Sequence, residues 1–125
     1  MRVLFSVHPE FADKMISGEK RYEFRKRLPI RSCVDGFAIY ATLPVGKVVA
    51  QGRIGKMLAL PPDEMWDKTG AYSGLRRDDF DRYFSKSRNA YAIELLDIIA
   101  IEPPIPLLKY APQLTRPPQS YAYID

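Results

Sequence analysis

Residues 6–25, SVHPEFADKMISGEKRYEFR, decide how this chain is read. Pro9 suits the first turn of a helix, where its missing N–H has no intrahelical partner to lose. Phe11, Ala12, Met15 and Ile16 then fall on one helical face. Gly18 stops the helix, because glycine adopts the left-handed conformation without steric cost. From Lys20 to about Phe24 the period changes to that of a strand. Tyr22 and Phe24 then point to one side and Glu23 and Arg25 to the other.

Working outward, residues 2–7 (RVLFSV) are β-rich and read as a first strand. Leu28-Pro29-Ile30 reads as a loop. Residues 36–42 (GFAIYAT) form a strand, 43–46 (LPVG) a turn, and 47–60 a long strand. In that strand Gly52 and Gly55 mark bulges or a barrel corner. Pro61, Pro62, Asp63 and Glu64 open a helix that Thr69-Gly70 closes. Residues 76–84 give a second short helix with Phe80, Tyr83 and Phe84 on one side. Residues 90–101 form an apolar strand that Pro103, Pro104 and Pro106 are expected to break. A proline-rich loop follows, and residues 121–124 close as a short strand. The order β-α-β-β-β-α-α-β-β predicts an α+β fold built on a small, strongly curved sheet or barrel. It is read as one domain over residues 1–125.

Composition narrows the function classes. The 125 residues, 46% hydrophobic and 27% charged, suit a globular core. Cys33 is the sole cysteine and His8 the sole histidine, so no internal disulfide and no Cys- or His-rich metal cluster can form. No metal is expected. The apolar run at the N-terminus is shorter than a secretory leader needs, and no segment is long enough to span a bilayer. The expected location is cytoplasmic, with no membrane partner. The net charge of +4 is modest, but its distribution is uneven. Lys20, Arg21, Arg25, Lys26, Arg27 and Arg31 cluster against a single acid, Glu23. Such a cluster attracts phosphates; equally, lysine and arginine protect a solvated strand edge. No glycine-rich dinucleotide or P-loop motif is present.

Several segments, in order, resemble the ASCH domain, a branch of the PUA-like superfamily of small β-barrels. They are Ser6-Val7-His8-Pro9-Glu10-Phe11-Ala12, Ile16-x-Gly18-x-Lys20-x-x-Glu23-x-Arg25, Tyr40-Ala41-Thr42-x-Pro44, Trp66-x-x-Thr69-Gly70, Tyr91-Ala92-Ile93, and Arg116-Pro117-Pro118-Gln119-Ser120-Tyr121. The resemblance spans nearly the whole chain. It implies a PUA-like pseudo-barrel with a cleft between the barrel and the first helix, rimmed by the Gly18–Lys20 turn and the strand after it. It implies RNA binding or RNA-related regulation, with no cofactor. Some small members hydrolyse acylated cytidines and some have been described as ribonucleases. The lysine that the deacylating members use falls at Lys20, whereas their threonine nucleophile falls at Glu23. His8 stands where the resemblance more often has lysine.

The candidate site residues are His8, Lys20, Glu23, Arg25, Lys26, Arg27, Tyr40 and Thr42. Lys20 can hold a phosphate as a point charge, or act as a base if desolvation lowers its pKa. Glu23 and Arg25 share a face and can pair with each other. Alternatively, Glu23 accepts from an exocyclic amine and Arg25 grips a phosphate. Thr42 offers a hydroxyl. Tyr40 either stacks on a base or is an ordinary buried tyrosine. Ser120, beside Pro117-Pro118-Gln119, reads as part of a structural latch, and Trp66, Tyr83 and Phe84 as packing residues. The leading expectation is a module binding RNA, a nucleotide or a modified nucleoside. The alternative is a small hydrolase acting on acylated cytidine, or a ribonuclease, with Lys20 and Glu23 carrying the chemistry.

Overall fold

In the computed structural model, residues 1–27, 31 and 33–125 are described; the expected loop at Leu28-Pro29-Ile30 lies outside the described residues. The chain runs β1 (Arg2–Val7), α1 (Pro9–Ser17), β2 (Tyr22–Arg25), β3 (Gly36–Ala41), β4 (Lys47–Leu60), α2 (Pro62–Thr69), α3 (Arg77–Tyr83), β5 (Ala90–Pro106), α4 (Leu107–Tyr110) and β6 (Tyr121–Tyr123). A 3₁₀ turn at Gly70–Tyr72 joins α2 to the segment before α3. The strands form one six-stranded sheet in the order β2-β5-β4-β3-β1-β6. β1 and β3 are parallel, with α1 and β2 in the crossover between them, and the other pairings are antiparallel. The sheet curls into a half-barrel, the α+β PUA-like fold expected from the sequence.

Both faces of the sheet are covered. Val3, Phe5, Phe37, Ile39 and Ile93 fill the inside of the curl together with Ala12 and Met15 of α1. Leu4, Ala38, Tyr40 and Val48 lie on the opposite face, under Leu107 and Ala111. Phe24 and Ala92 pack with Met65, Phe80 and Phe84 of the α2–α3 layer. Phe24 meets Phe80 edge to face at 5.5 Å, a contact worth about 1 kcal/mol beyond its area burial.

Bulges curl the long strands. The β4–β5 register shifts between Gln51 and Arg53 and again between Ile54 and Met57, around Gly52 and Gly55. A Cβ on Gly52 would lie 2.6 Å from the Leu96 carbonyl oxygen, so the close approach of β5 requires glycine there. One expectation is corrected. β5 continues through Pro103, Pro104 and Pro106 to residue 106 and does not end near 101. Val48 pairs with Ile105 and Ala50 with Ala100, so residues 101–104 loop out opposite Val49. Pro103 and Pro104 fall inside that bulge, where the ladder asks for no N–H. The short helix α4 follows inside the stretch expected to be a loop.

Among the described residues, no helix is long and apolar enough to cross a membrane.

Candidate nucleic-acid cleft

The cavity that brings Lys20 and Glu23 together opens where edge strand β2 faces the end of β1. It has a volume of about 400 Å³ and is walled by both apolar and polar side chains. Val7 and His8 come from the end of β1, Phe11 from α1, Lys20, Glu23 and Phe24 from β2 and its approach, and Thr42 from the end of β3. Leu75, Asp79 and Tyr83 close it from the α2–α3 side, and Gln119 from the chain before β6.

Local structure fixes Lys20 tightly. Gly18 ends α1 at φ +90° and donates its N–H to the Met15 carbonyl. The Lys20 N–H then bonds the Lys14 carbonyl at 3.0 Å, and the Arg21 N–H the Tyr72 carbonyl at 2.8 Å. The Lys20 side chain, 5% exposed, runs inward past Gly74. Its Nζ donates to the Ser73 carbonyl at 2.8 Å and stands 4.9 Å over the Phe24 ring and 5.7 Å over the Phe11 ring. The Ser73 carbonyl is itself held in place. The Ser73 hydroxyl donates to the Gly70 carbonyl at 2.8 Å and accepts the Leu75 N–H at 3.1 Å. An ammonium has three donors. Among the described residues Nζ makes this one hydrogen bond, which leaves donors for a ligand in the cavity.

Glu23 faces the same cavity, and its Oε2 is buried with no hydrogen-bond partner. Burial drives its carboxyl pKa up, against the pull of Lys20 and Arg25. Burial likewise drives the Lys20 pKa down, assisted by nearby Lys14 and opposed by Glu23. The two groups form no ion pair among the described residues, so a half-buried acid with one buried, unpartnered oxygen and a buried amine face the same chamber. An unpaired buried polar group is costly and is the feature expected of a binding site. Tyr83 stands at the rim with its hydroxyl 3.5 Å from the Phe24 carbonyl; partial burial raises its pKa.

A smaller cleft of about 230 Å³ adjoins the first and is lined by Arg25, Lys26, Arg27, Tyr83 and Tyr121. Tyr83 lines both.

Comparison with known proteins follows the same lines. No family model matches the chain. It is 30% identical over 122 residues to the ASCH domain-containing ribonuclease of Zymomonas mobilis subsp. mobilis, across 97% of this chain and 82% of that protein. The chain belongs to the ASCH domain family. The crystal structure of ASCH from Zymomonas mobilis superposes with a TM-score of 0.89 at 31% identity, covering 99% of this chain and 87% of that one. The N-terminal domain of Staphylothermus marinus McrB shares the fold at a TM-score of 0.59 and 10% identity, over 91% of this chain and 81% of that one.

This ASCH fold gathers His8, Lys20, Glu23 and Thr42 around one cavity. It sends Arg25, Lys26 and Arg27 to the adjoining cleft. Arg25 does not pair with Glu23; its guanidinium lies over the Tyr121 ring. Of the two readings of Tyr40, the structure adopts the buried one, with the side chain on the opposite sheet face beside Leu4 and Val48. Tyr40 and Thr42 part company because β3 ends at Ala41, and the alternation of faces ends with it. The latch before β6 is present: the Ser6 N–H bonds the Ser120 carbonyl at 2.9 Å, and the Ser6 hydroxyl donates to the Pro118 carbonyl at 2.7 Å. Sequence reasoning missed Phe11, Leu75, Asp79 and Tyr83 as cavity residues. Phe11 and Tyr83 carry the helical spacing of core residues, and nothing local separates a wall from a core.

Proposed function

We propose that this ASCH domain binds single-stranded RNA and draws an unpaired base into the cavity between α1 and β2. The observation that carries this reading is the unmated pair. Lys20 is buried, Glu23 is half-buried with an unpartnered buried Oε2, and the two face one chamber without a mutual ion pair. A base supplies what each needs. Ring carbonyl oxygens and nitrogens accept from the ammonium, and an exocyclic amine donates to the carboxylate. Phe11 and Tyr83 give aromatic surface of the kind that single-stranded recognition uses. The hydroxyl of Thr42 and the His8 ring stand at the rim as further contacts. The basic run 25–27 beside the cavity suits the backbone of the same strand.

The name of the Zymomonas relative favours a second reading on the same residues, that the chain also cleaves RNA. A lysine with lowered pKa serves as general base and a carboxyl with raised pKa as general acid. Neutral Lys20 would take the proton of the ribose 2′-hydroxyl as that oxygen attacks phosphorus. Protonated Glu23 would give its proton to the departing 5′-oxygen. The products would be a 2′,3′-cyclic phosphate and a 5′-hydroxyl end. The test is an assay of the purified protein against labelled single-stranded RNA and acylated cytidines, in parallel with equilibrium binding. RNA binding with turnover supports cleavage, and binding without turnover the module reading. Failure to bind or cleave either ligand would overturn both.

A further inference from the structure

We propose that the cleft beneath Arg25, Lys26 and Arg27 is a second subsite, which holds the phosphodiester adjoining the base in the Lys20–Glu23 cavity. The recognition unit is then a base together with its phosphate, and a bare nucleoside fills half of it. This rests on the RNA reading above and deepens it.

Three features of the cleft carry the inference. First, it borders the base cavity, since Tyr83 forms a wall of each. A strand leaving the first cavity across Tyr83 enters the second. Second, two of its three cations are held in place. The Lys26 ammonium lies 4.8 Å from the Tyr83 ring centroid and the Arg25 guanidinium 4.7 Å from that of Tyr121. Stacking on a ring face leaves the guanidinium's N–H edge free to grip an anion and restrains a side chain that would otherwise lose entropy on binding. Third, the charge is unmatched. No carboxylate lines the cleft among the described residues, and Arg25, Lys26 and Arg27 make no ion pair among them. The stacking continues beyond the cleft, where Arg31 lies 4.5 Å over Tyr123, whose ring meets Tyr121 at 5.9 Å.

The test uses the four nucleosides, their 3′- and 5′-monophosphates, and 2′-O-methyl dinucleotides, titrated calorimetrically into the wild type and the Lys26→Gln/Arg27→Gln double variant. Both substituted side chains are exposed, and a melting curve checks that the variant folds. A phosphate on one side of the base should tighten binding about 10- to 100-fold, the range of a charge-assisted hydrogen bond. The double variant should lose that gain and keep its nucleoside affinity. The phosphate's contribution should also weaken as salt rises, because the contact is between opposite charges. If nucleosides bind and neither phosphate adds affinity, the second subsite is refuted and the base cavity stands. If the double variant binds phosphorylated ligands as the wild type does, the subsite is again refuted. If neither nucleosides nor dinucleotides bind, the RNA reading falls and the subsite with it.

Discussion

The guanidinium of Arg25 lies 4.7 Å above the ring of Tyr121, and these residues sit on strands at opposite ends of the sheet order. β2 and β6 are not neighbours in the hydrogen-bonded ladder. The half-barrel is therefore bridged across its open side by a side-chain contact, and the two clefts lie along that opening. A fully closed barrel would leave no room there. Arg25 thus both bridges this edge and lines one of the clefts that open along it.

The bridge should be measurable as a coupling. In a double-mutant cycle with Arg25→Gln and Tyr121→Leu, urea unfolding should return an interaction of about 0.5–1 kcal/mol, typical of a cation–π pair at a partly exposed site. A coupling indistinguishable from zero would mean that the two strand ends are held together by other contacts.

Gly74 is the tightest control on Lys20. It sits at φ +70°, and a Cβ there would lie 2.8 Å from the Lys20 Cβ. Gly74→Ala combines backbone strain with a collision against the lysine stem. It should lower stability by about 1–3 kcal/mol and weaken RNA binding by displacing the ammonium. Gly46 also has positive φ, at +63°, but lies in the turn after β3 and lines neither cleft, so Gly46→Ala is the control. It should lower stability while leaving affinity intact. Equal losses of affinity in both variants would show that Gly74 acts only through general stability.

Much of this was legible in the sequence, for identifiable reasons. α1 is bounded by Pro9 and Gly18, and β4 by the turn before Lys47 and the prolines after Leu60; these local stereochemical signals survive in any context. The path of β5 was not legible. Whether prolines end a strand depends on what the partner strand requires, and β4 requires nothing of Pro103 and Pro104. Lys20 and Glu23 were marked in the sequence by the resemblance to the ASCH domain, and the structure brings both to one cavity. Tyr83 was not marked, because Tyr83 and the buried Phe84 are neighbours of the same chemical type, and only the packing of α3 on β2 decides which one meets the cavity. The partner of Lys20 is a backbone carbonyl, which no residue type announces.

Lys20 and Glu23 should give stability a pH dependence with two opposite slopes. The Glu23 pKa is raised in the folded state, chiefly by burial. Its contribution to stability is then fully present below its ordinary pKa near 4.5 and is lost as pH rises through the folded value. The Lys20 pKa is lowered, again chiefly by burial. The unfolded chain binds the extra proton between that lowered value and 10.5, so stability rises with pH across that window. Melting temperatures of Glu23→Gln should lose the first slope and those of Lys20→Met the second. If Glu23→Gln tracks the wild type from acid to neutral pH, the carboxyl is not desolvated as described.

The sharpest division between binding and catalysis runs through the same two side chains. If the cavity only binds, Lys20→Met removes one charge-assisted hydrogen bond and should weaken RNA binding by about 1.5–3 kcal/mol. Glu23→Gln keeps the shape of the chamber, trades an acceptor for a donor, and should shift which base is preferred. Neither variant should alter a rate, because the wild type has none. If the cavity also cleaves, each substitution should cost about 10²- to 10⁴-fold in rate, the usual contribution of an acid–base group, while affinity for an uncleavable 2′-O-methyl strand falls far less. The pH profile adds a signature that a structural role would not produce. A rate requiring neutral Lys20 and protonated Glu23 should be bell-shaped, and Glu23→Gln should remove its alkaline limb. Robust turnover that survives both substitutions would place the chemistry elsewhere on the domain and leave Lys20 and Glu23 as binding residues.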